Sequence, residues 1–166
     1  MCIRDSCGTY ADSGRQARRI VELAAVPMDV DDGFWPLLGW VLGKLSPDRI
    51  PLLRGLEEMN VDDDAMKAIC AAFGSTSGAP MLHIAGHTPE AGMPSAPAAD
   101  RVTIDREMLA DAWRQLNSGG ADIDLVAIGS PHLSLAELHL IDAAFNGRHR
   151  HADVKLILTI GRDVLD

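Results

Sequence analysis

The chain has 166 residues, of which 47% are hydrophobic. That is enough for one domain with a real core, and no run approaches the roughly 18 apolar residues that would suggest a membrane span. With 24 acidic against 15 basic residues the formal net charge is −9, which disfavours nucleic acid and anionic lipid surfaces as partners. A small anionic substrate remains compatible with it, because a local arginine, a metal or a helix N-terminus reverses the field within one pocket.

Cys2, Cys7 and Cys70 are too few for a disulfide framework, and the start lacks the basic and apolar segments of a secretory signal. A cytoplasmic address is the expectation. Met1 to Ser6 reads as a non-native leader and is set aside from fold reasoning. The chain ends just after a new helix begins, so both ends read as cut.

In chain order, Arg18 to Ala25 is a strand or a short helix, which periodicity alone leaves open. Asp31-Asp32 offers an acidic N-cap to an apolar helix from Phe34 to Gly43, with Pro36 in its first turn and Ser46-Pro47-Asp48 ending it. Ile50 to Leu53 is a short buried strand followed by a turn at Gly55. Asp62 to Asp64 starts a second helix with apolar positions Ala65, Met66, Ile69, Cys70 and Phe73, stopped by the run Gly74 to Gly78. Cys70 reads as core filler.

Pro80 to Ala85 is the next strand, Gly86 to Ala91 the loop at its end, and Gly92 to Asp100 a Pro- and Ala-rich linker that subdivides the chain. Val102 to Ile104 is a brief strand, and Asp105 caps a helix ending near Asn117. Ile123 to Ile128 is a strand by its β-branched content, and Gly129 to His132 a tight loop. Ser134 and Glu137 form a capping box for a helix reaching Phe145, and Val154 to Ile160 is the last strand. This alternation predicts an α/β fold with a mainly parallel sheet and helices on its faces.

In open α/β sheets ligands bind beyond the carboxyl ends of the strands. Two segments are expected at neighbouring strand tips, facing one shared pocket: Gly86-His87-Thr88-Pro89-Glu90-Ala91 and Gly129-Ser130-Pro131-His132-Leu133-Ser134. The candidate substrate-binding residues are Ser130, His132 and Ser134, then His83, Thr88 and Glu90. Each has a structural alternative: Ser134 as a helix cap, His132 bonded to a carbonyl, His83 as a satisfied core histidine, and His87 and Glu90 in a solvated turn. His149-Arg150-His151 reads as a solvated basic loop. Gly39-Trp40-Val41-Leu42-Gly43-Lys44 is one residue short of a phosphate loop and lies inside a helix. Gly-x-Gly-x-x-Gly, Cys-x-x-Cys and Gly-x-Ser-x-Gly are all absent.

Taken together, Phe34 to Gly39, Ile50-Pro51 through Gly55-Leu56, Met66-Lys67-Ala68, Leu82 to Ala91 and Ile128 to Leu138 resemble the catalytic domain of aconitase X from about Tyr10 onward. The resemblance implies that residues 7–166 are an internal part of that domain, with an aconitase-like layered sheet. It further implies an iron–sulfur-assisted or iron-assisted hydro-lyase acting on a small carboxylate substrate, and a small swivelling domain or subunit that closes the cleft. Its members include dehydratases of cis-3-hydroxy-L-proline, the favoured substrate, and of mevalonate 5-phosphate; a non-catalytic α/β binding module is the remaining alternative. Ser130 stands where some members carry a cysteine. A serine oxygen is a poorer ligand for iron than a thiolate, so Ser130 counts against a conventional cluster here. His87 stands where an apolar residue is expected.

Overall fold

A computed structural model of the chain describes residues 8–24 and 30–164; Cys2, Cys7 and the segment 1–6 read above as a leader lie outside the described residues. The chain forms two compact units, Met1–Asn117 and Ser118–Asp166. The 92–100 stretch lies inside the first unit, where the Ala96 N–H donates to the Ala17 carbonyl at 2.8 Å.

In the first unit a one-turn helix α1 (Asp12–Arg15) leads into β1 (Arg19–Leu23), then α2 (Phe34–Leu45), β2 (Pro51–Arg54), α3 (Asp63–Thr76), β3 (His83–Ile84), β4 (Asp100–Ile104) and α4 (Arg106–Leu116). The four strands lie in the order β3-β2-β1-β4, all parallel, which confirms the α/β reading and settles Arg19–Leu23 as a strand. Only His83 and Ile84 of the expected 80–85 strand pair with a neighbour.

Side chains alternate across a strand, so one face carries Val21, Leu23, Leu53, Ile84 and Ile104. These join Leu38, Val41 and Leu42 of α2, Ile69 and Phe73 of α3 and Ala112 of α4 in one core. Each large side chain removed from water there contributes roughly 1.5–3 kcal/mol. The three long helices therefore share one sheet face. On the other face Ile20, Leu52 and His83 form a buried row.

Close approach of α2 and α3 explains the Gly39-x-x-x-Gly43 spacing. A Cβ on Gly39 would collide with the Ile69 carbonyl oxygen, and one on Gly43 would lie 2.8 Å from the Phe73 oxygen. The segment that mimics a phosphate loop is a helix-packing surface. Asp62 and Asp105 cap α3 and α4, accepting from the N–H groups of Ala65 at 2.8 Å and Met108 at 2.9 Å. Asp31 and Asp32 do not cap α2: Gly33 holds that position, and the Asp31 carbonyl instead accepts from Phe34 N–H in a turn. Helix α3 runs past Gly74 to Thr76, because glycine mid-helix merely weakens the helix and nothing crowds it there. Cys70 is exposed, one position off the buried stripe of Ala65, Ile69 and Phe73.

The second unit contains β5 (Leu125–Leu133), α5 (Leu135–Phe145), β6 (Lys155–Ile160) and a short 3-10 turn (Arg162–Val164). Strands β5 and β6 pair in parallel as a separate two-stranded sheet. The expected loop at 129–132 is part of β5. Gly129 has φ +125°, the Ser130–Pro131 peptide is cis, and the register shifts between Ile128 and Leu133 before pairing resumes. At Gly129 a Cβ would lie 2.7 Å from the Thr159 nitrogen, so the irregular strand needs glycine there both for conformation and for space. His149, Arg150 and His151 are exposed, as expected.

Candidate active site

The 86–90 turn follows β3 at its carboxyl end, and Gly86 makes it possible with φ +82°, packing against Glu57. The turn is tied down by its own polar groups. Thr88 Oγ1 accepts from Ile84 N–H at 2.9 Å and donates to the Ile84 carbonyl at 3.3 Å, closing the strand end. His87 Nε2 meets the Leu56 carbonyl at 2.8 Å; a carbonyl only accepts, so the proton is on Nε2. His83 is buried and donates from Nε2 to the Arg15 carbonyl at 2.7 Å.

Arg15 organises this end of the site, and sequence reasoning missed it. Its Nε donates to Glu90 Oε1 at 2.8 Å, its Nη2 to Asp12 Oδ1 at 2.6 Å and its Nη1 to the Thr9 carbonyl at 2.9 Å. The 8–16 segment is thereby fastened to the 83–90 turn. The Asp12–Arg15 spacing is local, but the bond that ties Arg15 to the turn goes to Glu90, which is distant in sequence.

A charged row on the sheet face away from the three long helices was also missed. Glu22, in register with Arg54 and Thr103, accepts from Arg101 Nη1 at 3.0 Å, while Arg54 stands 4.0 Å from Glu22 and 3.8 Å from Glu57. The alternation of Ile20 with Glu22 and of Leu52 with Arg54 was the available signal.

In the second unit Ser134 accepts from Glu137 N–H at 3.1 Å, and Glu137 Oε2 accepts from Ser134 N–H at 2.7 Å. The capping box is real, with a chemical consequence: it places a carboxylate at the helix N-terminus, where a substrate carboxylate would be repelled. Ser130 and His132 are exposed on the irregular strand and make no side-chain hydrogen bond to another described residue. Thr88 follows β3 of the first unit's sheet and Ser130 lies in β5 of the second unit; among the described residues β5 pairs with β6 alone, so the two are not at neighbouring tips of one sheet.

Among the described residues no group of three or more His, Cys, Asp or Glu side chains is placed to hold a metal ion. Cys70 is solvent-accessible, but packing around its sulfur desolvates the thiolate and pushes the thiol up from its ordinary value. Iron ligation wants the thiolate, so Cys70 is a poor ligand, and by themselves the described residues offer no complete ligand set for an iron or iron–sulfur group. No helix among them is long and apolar enough to cross a membrane.

A sequence profile described as the aconitase X second domain matches residues 17–114, more than half of the chain. The chain belongs to the aconitase X family. It is 42% identical over 164 residues to a cis-3-hydroxy-L-proline dehydratase of Pseudomonas aeruginosa, covering 95% of this chain and 28% of that one. It is 26% identical over 152 residues to a phosphomevalonate dehydratase large subunit of Methanocaldococcus jannaschii, covering 89% of this chain and 38% of that one. The crystal structure of Thermococcus kodakaraensis aconitase X in its holo-form superposes with a TM-score of 0.78 at 25% identity, over 94% of this chain and 39% of that one. The chain therefore spans well under half the length of these aconitase X relatives, and its parallel sheet is shared with a solved member of the family.

Proposed function

We propose that this chain supplies the second-domain portion of a hydro-lyase of the aconitase X type whose substrate is cis-3-hydroxy-L-proline. The observation that carries the reading is 42% identity, sustained over 95% of the chain, to an enzyme named for that substrate. The phosphomevalonate relative at 26% supports the second reading less strongly.

Within that enzyme the chain's own contribution is to bind and orient. Ser130 and His132 are the substrate-facing candidates, because their polar atoms are not consumed by local structure. The Ser130 hydroxyl both donates and accepts, which suits a carboxylate or a departing hydroxyl, and the His132 imidazole offers one donor and one acceptor. His83, Thr88, Glu90 and Ser134 act at one remove, holding the strand ends, the turn and α5. The reaction to be served removes a proton beside the substrate carboxylate and expels the hydroxyl as water. The cofactor proposed with the family is iron or an iron–sulfur cluster; the described residues offer no set of ligands for it. A small swivelling domain or subunit as the cleft's other wall and a cytoplasmic address belong to the same proposal.

The test replaces the matching stretch of the Pseudomonas aeruginosa enzyme with this chain. The chimera is expected to release water from cis-3-hydroxy-L-proline, with Ser130→Ala and His132→Ala raising KM or lowering kcat about tenfold or more while the fold is retained. A folded chimera indifferent to both substitutions overturns the assignment of these residues. A folded chimera without dehydratase activity overturns the function.

A further inference from the structure

All four strands of the first sheet run parallel, so the segments entering them share one end, opposite the end from which the 86–90 turn leaves. At that end lies an open cleft of about 580 Å³. Its walls come from three such entry segments and from α1: Arg18 just before β1, Asp48 and Arg49 before β2, Ala96-Pro97-Ala98 before β4, and Ser13 and Gln16.

Four of the five polar side chains here, all but Asp48, can donate. Arg18 uses its backbone N–H on the Ile50 carbonyl at 2.8 Å, but its guanidinium makes no hydrogen bond or ion pair with another described residue. The side chains of Ser13 and Gln16 likewise make no hydrogen bond to a described residue. Arg49 is held firmly at one point, Nε to Asp48 Oδ1 at 2.9 Å; its two terminal nitrogens stand at 3.5 Å from Asp100 and 3.4 Å from Asp48. The two terminal contacts are long, so an incoming oxyanion would displace only weak bonds there. Asp100 is committed to Arg19, with bonds at 2.9 and 2.5 Å. The one acid on the cleft wall, Asp48, is matched by Arg49, so Arg18 leaves the wall with a net positive charge in a chain of net −9.

We propose that this cleft binds a small oxyanion, a phosphate or a carboxylate, between the Arg18 and Arg49 guanidiniums, with Gln16 and Ser13 as further donors. Two arginines line the same space, and guanidinium forks match the planar or tetrahedral oxygens of such a group. The cleft lies at the amino ends of the first unit's strands, and none of its lining residues is among the candidates named for the dehydration.

The experiment titrates the 15N-labelled chain with sodium phosphate and, separately, sodium acetate at constant ionic strength, following the arginine Nε–H resonances. Arg18 and Arg49 are expected to shift saturably, with half-saturation at or below about 10 mM, while Arg54, which is not among the cleft's lining residues, stays still. Tighter phosphate marks a phosphate site, and tighter acetate a carboxylate site. Arg18→Gln is expected to weaken binding about tenfold or more, and Arg18→Lys, which keeps charge but loses the fork, by less. Both variants should melt as the parent does, since Arg18 is exposed. A linear response, an Arg54 shift in parallel with Arg18, or unchanged affinity in Arg18→Gln overturns the proposal.

Discussion

The guanidinium of Arg15 and the carboxylate of Glu90, 75 residues apart in the chain, meet at 2.8 Å. His83 adds a second tie by donating to the Arg15 carbonyl at 2.7 Å. Together they hold the 8–16 segment against the turn that follows β3. The ion pair is partly screened, with 23% and 37% of the two side chains exposed. A double-mutant cycle of Arg15→Ala and Glu90→Gln should therefore give a coupling of only about 0.5–1 kcal/mol by urea unfolding. A coupling near zero would mean the pair does not fasten these segments.

Two glycine substitutions should move stability in opposite directions. Gly39→Ala forces a Cβ against the Ile69 carbonyl and is expected to cost about 1–3 kcal/mol, through separation of α2 from α3. Gly74→Ala, with open space around it inside α3, should stabilise by about 0.5–1 kcal/mol. Urea midpoints of the two variants check both signs.

Acid sensitivity should trace to Asp100. The bond from Arg19 holds its carboxyl below the ordinary carboxylate range, and Arg19 is raised by the same contact. A depressed folded value means the contribution is fully present above the unfolded value of about 3.9 and is lost as pH falls through the lower folded value. Asp100→Asn should flatten the acid limb of a stability–pH profile while lowering stability at neutral pH. An unchanged acid limb would assign that limb to other carboxylates.

Ser134 offers a separation of roles. Ser134→Ala removes the cap and should destabilise α5 by about 1 kcal/mol, whereas Ser134→Asp keeps an N-cap acceptor and should restore most of it. In the active chimera Ser134→Asp should leave KM close to the parent's. A large rise in KM with stability intact would instead give Ser134 a direct place at the substrate.

Much of the first unit was legible because its signals are local. Asp62 and Asp105 announce helix starts a few residues before the apolar stripe, and the parallel sheet follows from the alternation of elements. Cys70 was misplaced because it neighbours the buried stripe, and a single residue is about 100° of helix rotation. The irregular stretch of β5 looked like a loop because Gly129 and Pro131 are turn residues in most settings. Of the six candidate site residues, Ser134 was legible with its capping partner Glu137, while His83, Thr88 and Glu90 were visible only as residue types; the partners of all four show that their polar atoms hold the fold. Arg15 and the Glu22–Arg101 contact depend on pairings between distant segments, which no single stretch of sequence displays.

Substrate preference is the most direct measurement of what the chain serves. In the chimera described above, kcat/KM for cis-3-hydroxy-L-proline is predicted to exceed that for mevalonate 5-phosphate by about a hundredfold or more, a difference of roughly 2.7 kcal/mol in transition-state binding. Equal values, or a preference for the phosphorylated substrate, would contradict it.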